Sequence, residues 1–392
     1  MTWGTEGDTR PVVALAQGLQ ARGHEVLVIA DRNGQTLAES VGVPFEPMPG
    51  DFRALMSSQT PTGEMVRSGQ SPARIWPELV RSFARPAMRL VVDRLDDGFD
   101  VLVGSSMCKV PAEVIARRRG IRTVGIDLQP FTPTRAFPPP LLDITTLPRA
   151  ANLPLYGAMN LAFGLIRTAF LAPLVPKASH EAGPVPQLGA WSPTLVPRPR
   201  EWRGDKPLVI GELQLATAPE PVEERLRSFV EAGDPPVFVG LGSMAGVDMT
   251  HFRRTVVKAL DGRRAVLSAG WNDFDHEDLG PNILTVQRAP FDWLFPRCSV
   301  IVHHAGAGTA HLAARSGRPS ICVPQMADQS FWANQLQHLG IAPAPLQRDT
   351  VTTEQFRHAL ESAARLETRA REIADSMQHD NGVAAACDII TA

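Results

Sequence analysis

The stretch CSVIVHHAGAGTAHLAARSGRPSICVPQMADQSFWANQ, residues 298–335, joins an apolar run to a glycine-rich turn. CSVIVHHAG predicts a buried strand because it is rich in β-branched residues, and TAHLAARSG favours a helix. RPSICVPQ then predicts a second strand. A strand, a turn, a helix and a strand in this order are typical of a parallel sheet that binds ligands at the carboxyl ends of its strands.

The same alternation runs along the whole chain. HEVLVIA, FDVLVGSS and IRTVGIDL predict strands in the first half, and PPVFVGLGSM, RRAVLSAG and NILTVQRA predict strands in the second. We therefore predict an α/β protein with two doubly wound, Rossmann-like domains that face each other across a cleft.

A segment rich in proline and charge, WSPTLVPRPREWRGDKP, separates the two halves. We expect an N-terminal domain at 1–195, a linker at 196–206, a C-terminal domain at 207–375, and a final helix at 376–392 that packs back toward the N-terminal domain. Only three residues precede the loop GTEGDTRP, whereas a buried strand usually takes about five or six. We expect either that the natural start lies upstream or that the first strand is short.

Composition excludes some classes of partner. The 392 residues carry a net charge of −2, so no strong field attracts nucleic acid, and none is expected as a partner. The four cysteines are far apart and form no CxxC motif, which fits a reducing cytoplasm.

One apolar stretch, Leu153–Val175, is almost long enough to span a bilayer, but Arg167 interrupts it. We expect a helix that is buried or lines the cleft rather than one that spans. Shallow docking onto a membrane surface is the second expectation for this stretch.

The turn itself indicates an anion site. Gly306 and Gly308 let the backbone approach a ligand, Thr309 can bond an oxygen, and the helix that follows presents free N–H groups. A purely structural turn explains the pattern equally well. The turn lacks the third glycine of a dinucleotide site and the Gly-Lys-Ser/Thr of a P-loop.

The histidines beside the turn do not favour a metal. His303 and His304 are adjacent and would point to opposite faces of a strand, and His311 comes seven residues later with no cysteine or carboxylate at a usual ligand spacing. We expect no metal. His304 could instead donate to phosphate oxygens, or it could be a satisfied structural histidine.

Asp328 and Gln329 close the stretch. A carboxylate beside an amide suits the vicinal hydroxyls of a sugar. The alternative is that Asp328 caps the helix QSFWANQLQHLG.

Taken together, HHAGAGT and ADQSFWANQ resemble the donor-binding region of family 1 glycosyltransferases of the GT-B fold. The likeness is greatest to the bacterial antibiotic and sterol glucosyltransferase group, which has HHGGAGTT and later DQ-x-FW. The resemblance covers nearly the whole chain, including the opening GTEGDTRPVVALAQGLQARGHEV and the segment APFDWLFPRCSVIVHHAGAGT.

The resemblance implies an enzyme that moves a sugar from a nucleoside diphosphate, such as UDP-glucose or a dTDP-sugar, to an acceptor hydroxyl with inversion. It implies no metal and no cofactor besides the donor. The implied donor-binding residues are Ser243, Arg288, Trp293, His304, Ala305, Gly306, Ala307, Gly308, Thr309, Asp328 and Gln329.

Asp8 occupies the position of the family's catalytic base. Aspartate is a weak base toward an alcohol, but burial in a closed cleft could raise its pKa. The alternative is that Asp8 caps a helix that begins at Pro11. Ala305 departs from the family, which usually has glycine there; its methyl would be tolerated if the backbone is extended.

The acceptor is expected to be hydrophobic, a sterol, lipid or polyketide-like compound, because QPFTPTRAFPPPLLD and the apolar stretch would line its cleft. Two other functions stay open: a catalytically silent member that binds a nucleotide sugar, and a nucleotide-sugar epimerase. A nicotinamide oxidoreductase fits worst, since no GxGxxG follows a predicted strand.

Overall fold

Helices and parallel strands alternate along the protein. The computed structural model describes residues 1–50, 84–96, 98–105, 108–142, 144, 147–175, 185–202, 204, 207–217, 220–241, 249–268 and 279–392. The helices are α1 (Glu6–Gln20), α2 (Gln35–Ser40), α3 (Arg85–Leu95), α4 (Lys109–Arg119), α5 (Arg149–Leu165), α6 (Glu224–Glu231), α7 (Thr250–Leu260), α8 (Phe291–Leu294), α9 (Ala307–Arg315), α10 (Gln329–His338), α11 (Thr353–Ala364), α12 (Glu367–Met377) and α13 (Gly382–Thr391). The strands are β1 (Val28–Ala30), β2 (Phe45–Pro47), β3 (Val101–Ser105), β4 (Arg122–Asp127), β5 (Gln187–Gly189), β6 (Leu208–Val209), β7 (Val237–Gly240), β8 (Ala265–Ser268), β9 (Ile283–Val286), β10 (Val300–His303) and β11 (Ser320–Cys322).

The C-terminal sheet has the order β11-β10-β7-β8-β9, and every pairing is parallel. Strands β7, β8 and β10 are buried along their whole length, as expected of parallel strands covered by helices on both faces. The chain order reverses between β7 and β10. In an open α/β sheet this switch point opens a crevice at the carboxyl ends, and the glycine turn at 305–309 follows β10 there.

The N-terminal half contains the four-stranded sheet β3-β4-β5-β6 and the parallel pair β1-β2. The first two residues connect them: Thr2 donates its backbone N–H to Ile29, and the N–H of Ser105 donates to the carbonyl of Met1. Residues 1–3 therefore lie between β1 and β3, with Met1 and Trp3 buried in the core of this half.

Two features bear on the predicted domain limits. Strand β6 pairs with β5, so residues 208–209 lie in the N-terminal sheet although the sequence analysis assigned them to the C-terminal domain. The reason is that Leu208 and Val209 supply an edge strand before the chain crosses to the other sheet. At the C-terminus, α13 packs against α1 through Ala386, Cys387 and Ile390.

The apolar stretch forms a surface helix. Within the described residues, Arg149–Leu174 is the one helical run that is long and apolar enough to cross a membrane. Of the two expectations, a buried helix or one that lines the cleft, burial is wrong for most of the run, because only 12% of its most apolar window is buried. Asn152 and Tyr156 face the domain, whereas Leu161 and Leu165 are 67% and 58% exposed.

Candidate active site

The glycine turn brings the start of α9 to the carboxyl end of β10. Gly306 occupies the N-cap position with an extended backbone and has no side chain to accept a hydrogen bond. The N–H groups of Ala307, Gly308 and Thr309 precede the first intrahelical donor, Ala310, whose N–H reaches the carbonyl of Gly306. A methyl group on Gly308 would meet open space. The turn therefore presents backbone donors beside an accessible space, which suits an anion.

Ala305 adopts a left-handed conformation with φ of 61°. The Ala305 methyl was expected to be tolerated if the backbone there is extended, and the backbone is not extended. The chain must turn sharply between β10 and α9, and a left-handed residue makes that turn. A residue with a side chain pays roughly 1–2 kcal/mol for this conformation relative to the right-handed one. The Ala305 methyl is fully buried in the core between the two halves, so it faces away from the solvent.

The two adjacent histidines have different surroundings. His303 is fully buried, and its Nδ1 accepts the backbone N–H of Ala305 at 3.1 Å. The His304 ring lies over the turn, because a methyl group on Gly306 would come 2.6 Å from its Nε2. Its Nδ1 is buried and has no hydrogen-bond partner within the described residues. The glycine at 306 is therefore required for the ring to approach the backbone.

Burial keeps both imidazoles neutral. It lowers the pKa of His303 to about 3, with a further contribution from His304, and the pKa of His304 to about 4. A neutral His304 can still donate one hydrogen bond to a phosphate oxygen, but it supplies no positive charge.

Asp328 and Gln329 follow β11. The Gln329 side-chain oxygen accepts backbone N–H groups from Gln325 at 2.8 Å and Met326 at 3.3 Å, which closes the loop. Asp328 stands at the N-cap position of α10, but its side chain makes no capping bond. Its Oδ2 instead accepts the indole N–H of Trp332 at 2.8 Å. The structure therefore disfavours helix capping as the reason for this aspartate.

Burial raises the pKa of Asp328 to about 6. The hydrogen bond from Trp332 opposes that rise, and the negative charge of Asp8 adds to it. Since Asp8 belongs to the first helix, this interaction shows that the two halves bring their predicted site carboxylates close enough to influence each other.

Asp8 lies in the first turn of α1, which begins earlier than the predicted start at Pro11. The backbone N–H of Thr5 donates to Asp8 Oδ2 at 2.9 Å, and the Thr5 hydroxyl donates to the same oxygen at 3.2 Å. This capping box starts the helix at Glu6, so Pro11 falls inside it. Gly4 is needed beside it, because a methyl group there would come 2.3 Å from Asp8 Oδ2. One carboxylate oxygen thus holds the helix start and fixes the position of the other.

Within the described residues, the structure does not show the remaining predicted donor residues in contact with the glycine turn. Ser243 lies outside the described residues. Arg288 is exposed after β9, and Trp293 is partly buried on α8. The Trp293 ring contacts two guanidinium groups, those of Arg297 at 4.6 Å and Arg227 at 5.5 Å from its centroid. Part of the Trp293 ring surface is therefore covered by arginine side chains of the protein itself.

Sequence reasoning missed three buried polar contacts. Trp332 holds Asp328, as described above. His311 accepts a backbone N–H from Ser192, 119 residues earlier in the chain. Lys109 donates to both oxygens of Asp127, at 2.7 and 2.8 Å, at the carboxyl end of β4. Burial raises the pKa of Asp127, and Lys109 limits the rise. Only DQ-x-FW carried a signal in the sequence, since the other two contacts join distant segments.

Comparison with known proteins agrees with this geometry. Residues 1–87 match the glycosyltransferase family 28 N-terminal domain, and residues 258–387 match the C-terminal domain of erythromycin biosynthesis protein CIII-like proteins. The chain is 29% identical to a sterol 3-beta-glucosyltransferase of Arabidopsis thaliana, over 98% of this chain and 66% of that protein. It is also 29% identical to the O-mycaminosyltylonolide 6-deoxyallosyltransferase of Streptomyces fradiae, over 100% of this chain and 96% of that one.

The fold is also found among solved structures. The glycosyltransferase VinC in complex with dTDP superimposes with a TM-score of 0.70 and 16% identity, covering 100% of this chain and 98% of the other. The protein has the GT-B fold of these glycosyltransferase structures. In sequence it is similar to sterol glucosyltransferases and antibiotic glycosyltransferases, and the predicted fold and the predicted resemblance are both confirmed. The chain spans slightly less than two thirds of the Arabidopsis relative.

Proposed function

We propose that this protein is a metal-independent, inverting glycosyltransferase that moves a hexose from a nucleoside diphosphate sugar to a hydroxyl of a hydrophobic acceptor. The observation that carries the proposal is that three predicted site groups, drawn from both halves of the chain, lie near one another. The donor turn at 306–309 and Asp328 lie at carboxyl ends of the C-terminal sheet, and Asp8 of the other half is close enough to raise the pKa of Asp328.

The diphosphate would lie against the first turn of α9. The N–H groups of Ala307, Gly308 and Thr309 and the positive end of the helix dipole favour its negative charge, and His304 can donate one further hydrogen bond. These donors stabilise the charge that develops on the leaving group, which is the task a divalent cation performs in other transferases. The absence of a metal requirement stays a prediction.

The sugar would lie between Asp328 and Asp8. The ionised Asp328 accepts hydrogen bonds from two sugar hydroxyls while Trp332 holds its other oxygen. Asp8 takes the proton of the acceptor hydroxyl as that oxygen attacks the anomeric carbon. The bond from the anomeric carbon to the diphosphate oxygen breaks with its electron pair, and the nucleoside diphosphate leaves. Attack from the opposite face inverts the anomeric configuration.

The acceptor is proposed to be a sterol, lipid or polyketide-like compound. The loop at 129–142 and α5 contribute apolar groups, among them Leu141 and Leu142, which are 38% and 40% exposed. The names of the relatives include both sterol and antibiotic glycosyltransferases, which supports the hydrophobic class without selecting one member. The donor is proposed to be UDP-glucose or a dTDP-sugar.

Transfer measured by mass spectrometry tests this function. Wild type, Asp8→Asn and the control Glu6→Gln would be incubated with UDP-glucose and dTDP-sugars against sterol and macrolide acceptors. Asparagine keeps an oxygen for Thr5, so the helix start should survive. Glu6 is an exposed carboxylate of the same turn, paired with Arg10. We expect Asp8→Asn to lose roughly 10²–10⁴-fold in rate, with nucleotide binding retained and Glu6→Gln unaffected.

Two outcomes of that experiment contradict the proposal. Equal transfer by wild type and Asp8→Asn would remove Asp8 from the role of base. Nucleotide binding by wild type without transfer to any acceptor would favour the silent nucleotide-sugar-binding protein. The left-handed Ala305, which stands where related enzymes have glycine, is the observation that keeps this second candidate open.

We also propose that α5 makes peripheral contact with membranes from a cytoplasmic location. Leu161 and Leu165 are exposed one turn apart, and residues 149–175 contain no acidic residue. Vesicle sedimentation with wild type and the double variant Leu161→Ser, Leu165→Ser tests it. Binding of wild type that the double variant loses would support the contact, and no binding of wild type to anionic or neutral vesicles would reject it.

A further inference from the structure

His311 lies one turn into α9, outside the predicted donor contacts, and is 1% exposed. Its Nε2 accepts the backbone N–H of Ser192 at 3.0 Å, so that nitrogen carries a lone pair. The proton is therefore on Nδ1, which lies 2.7 Å from the carbonyl oxygen of Ala307 and donates to it. Burial lowers the pKa of His311 to about 4, consistent with this neutral tautomer.

Ser192 belongs to the segment where the chain leaves the N-terminal sheet. It follows β5 and is fully buried. Its carbonyl accepts the N–H groups of Leu195 and Val196, at 3.1 and 3.0 Å. The neighbouring Trp191 lies in the core that both halves share. A hydrogen bond from this segment to His311 therefore fixes the donor helix relative to the N-terminal half.

His311 also contacts Trp332, the residue that holds Asp328. The rings of His311 and Trp332 meet edge to face with centroids 4.9 Å apart. Trp332 is fully buried and donates its indole N–H to Asp328. His311 thus contacts the first turn of α9, the segment leaving the N-terminal sheet, and the tryptophan that holds Asp328.

We propose that His311 is a positioning residue that holds both parts of the donor site, the turn at 306–309 and Asp328, in register with the N-terminal half through Ser192. This inference rests on the proposed donor site. Loss of the hydrogen bond to Ser192 would let α9 and Trp332 shift together, so the diphosphate donors and the sugar carboxylate would lose their alignment without any change in the groups that touch the donor.

The experiment uses two substitutions that each keep one half of the imidazole. In His311→Gln the side-chain oxygen reaches the position of Nε2 and can accept from Ser192. In His311→Asn the amide nitrogen takes the position of Nδ1 and can donate to Ala307, but the bond to Ser192 is lost. His311→Phe keeps the edge contact with Trp332 and loses both bonds. Trp202→Phe is the control, because Trp202 lies in the same shared core and donates to Pro133.

Calorimetric binding of UDP and dTDP, well below each variant's unfolding temperature, is the main measurement. We expect roughly tenfold weaker binding for His311→Asn and His311→Phe, with His311→Gln within about threefold of wild type and Trp202→Phe less stable but unchanged in affinity. The donor KM should rise in the same order while the acceptor KM stays constant.

Three results overturn the inference. Equal affinity in all the variants would show that His311 only stabilises the fold. Equal losses in the Asn and Gln variants, or a matching loss in Trp202→Phe, would show general loosening of the core rather than alignment through Ser192. If wild type binds neither nucleotide, the proposed donor site itself fails, and the inference fails with it.

Discussion

The two halves of this protein differ in how their site residues are held. In the C-terminal half, His303 accepts a backbone N–H at the start of the glycine turn, Trp332 donates to Asp328, and the Gln329 side chain closes the loop before α10. In the N-terminal half, Asp8 is held at the start of one helix, and the apolar side chains of α5 are exposed. Under the proposed function, the C-terminal half binds a diphosphate, which has one shape and needs fixed donors, and the N-terminal half binds acceptors that vary. The difference in packing fits these two tasks.

The largest expected difference between the halves is in how their stability responds to a fall in pH. Burial lowers the pKa of His303 to about 3 and those of His304 and His311 to about 4, whereas the ordinary value is 6.5. As pH falls from 6.5 toward 4, the unfolded chain binds protons that the folded chain excludes. Each histidine therefore removes about 1.4 kcal/mol of unfolding free energy per pH unit in this window.

Two carboxyls oppose that loss. Burial raises the pKa of Asp328 to about 6 and also that of Asp127, so the folded chain takes up protons there earlier than the unfolded chain. Three histidines against two carboxyls still leave net destabilisation between pH 6 and 4. We expect hydrogen exchange at pH 5 to lose protection first in β10 and α9. Loss of protection that begins in the N-terminal sheet would contradict the comparison.

A pair of glycine substitutions tests the contrast between the closely packed glycine turn and the exposed helix α5. Gly306→Ala places a methyl group 2.6 Å from His304 Nε2, so the ring must move away from the turn. Gly157→Ala, on the exposed face of α5, meets no atom within 4 Å. We expect Gly306→Ala to weaken nucleoside diphosphate binding roughly tenfold, and Gly157→Ala to raise stability by about 0.5–1 kcal/mol. Calorimetry measures the nucleotide affinity of the first variant, and denaturant unfolding measures the stability of the second. Unchanged nucleotide affinity in Gly306→Ala would show that the turn tolerates adjustment.

These contrasts show which parts of the site a sequence can predict. The β10–turn–α9 unit and the loop with Asp328 were predictable, because strand periodicity, paired glycines and DQ-x-FW are local patterns. The bond from Ser192 to His311 was not, since it joins residues 119 positions apart. The left-handed Ala305 was not either, because alanine rarely adopts that conformation and only the geometry of the turn demands it. The predicted start of α1 at Pro11 was wrong, because the capping box of Thr5 and Asp8 begins the helix at Glu6.

A smaller effect is expected from the bond that orients Asp328. Trp332 lowers the pKa of that carboxyl against the effect of burial, so removing the indole N–H should raise it above its value of about 6. If the ionised carboxylate accepts the sugar hydroxyls, as proposed above, the donor KM should increase as pH falls below 6. We expect Trp332→Phe to move this increase upward by roughly one pH unit, whereas Trp202→Phe should not. Coincident pH profiles of the donor KM in wild type and Trp332→Phe would separate Asp328 from donor binding.

The smallest effect concerns Ala305, where opposing terms nearly cancel. Glycine would relieve roughly 1–2 kcal/mol of left-handed strain, but it would lose the burial of one methyl group, about 0.8 kcal/mol, and add about 0.5–1 kcal/mol of backbone entropy. The unfolding free energy of Ala305→Gly should therefore stay within about 1 kcal/mol of wild type. Nucleotide affinity decides what the residue does. If Ala305→Gly binds UDP or dTDP tighter and transfers faster, the methyl restrains the turn, which would weaken the argument for a silent protein. If stability falls by several kcal/mol, the buried methyl belongs to the shared core more than to the donor turn, and the rigid half extends into that core.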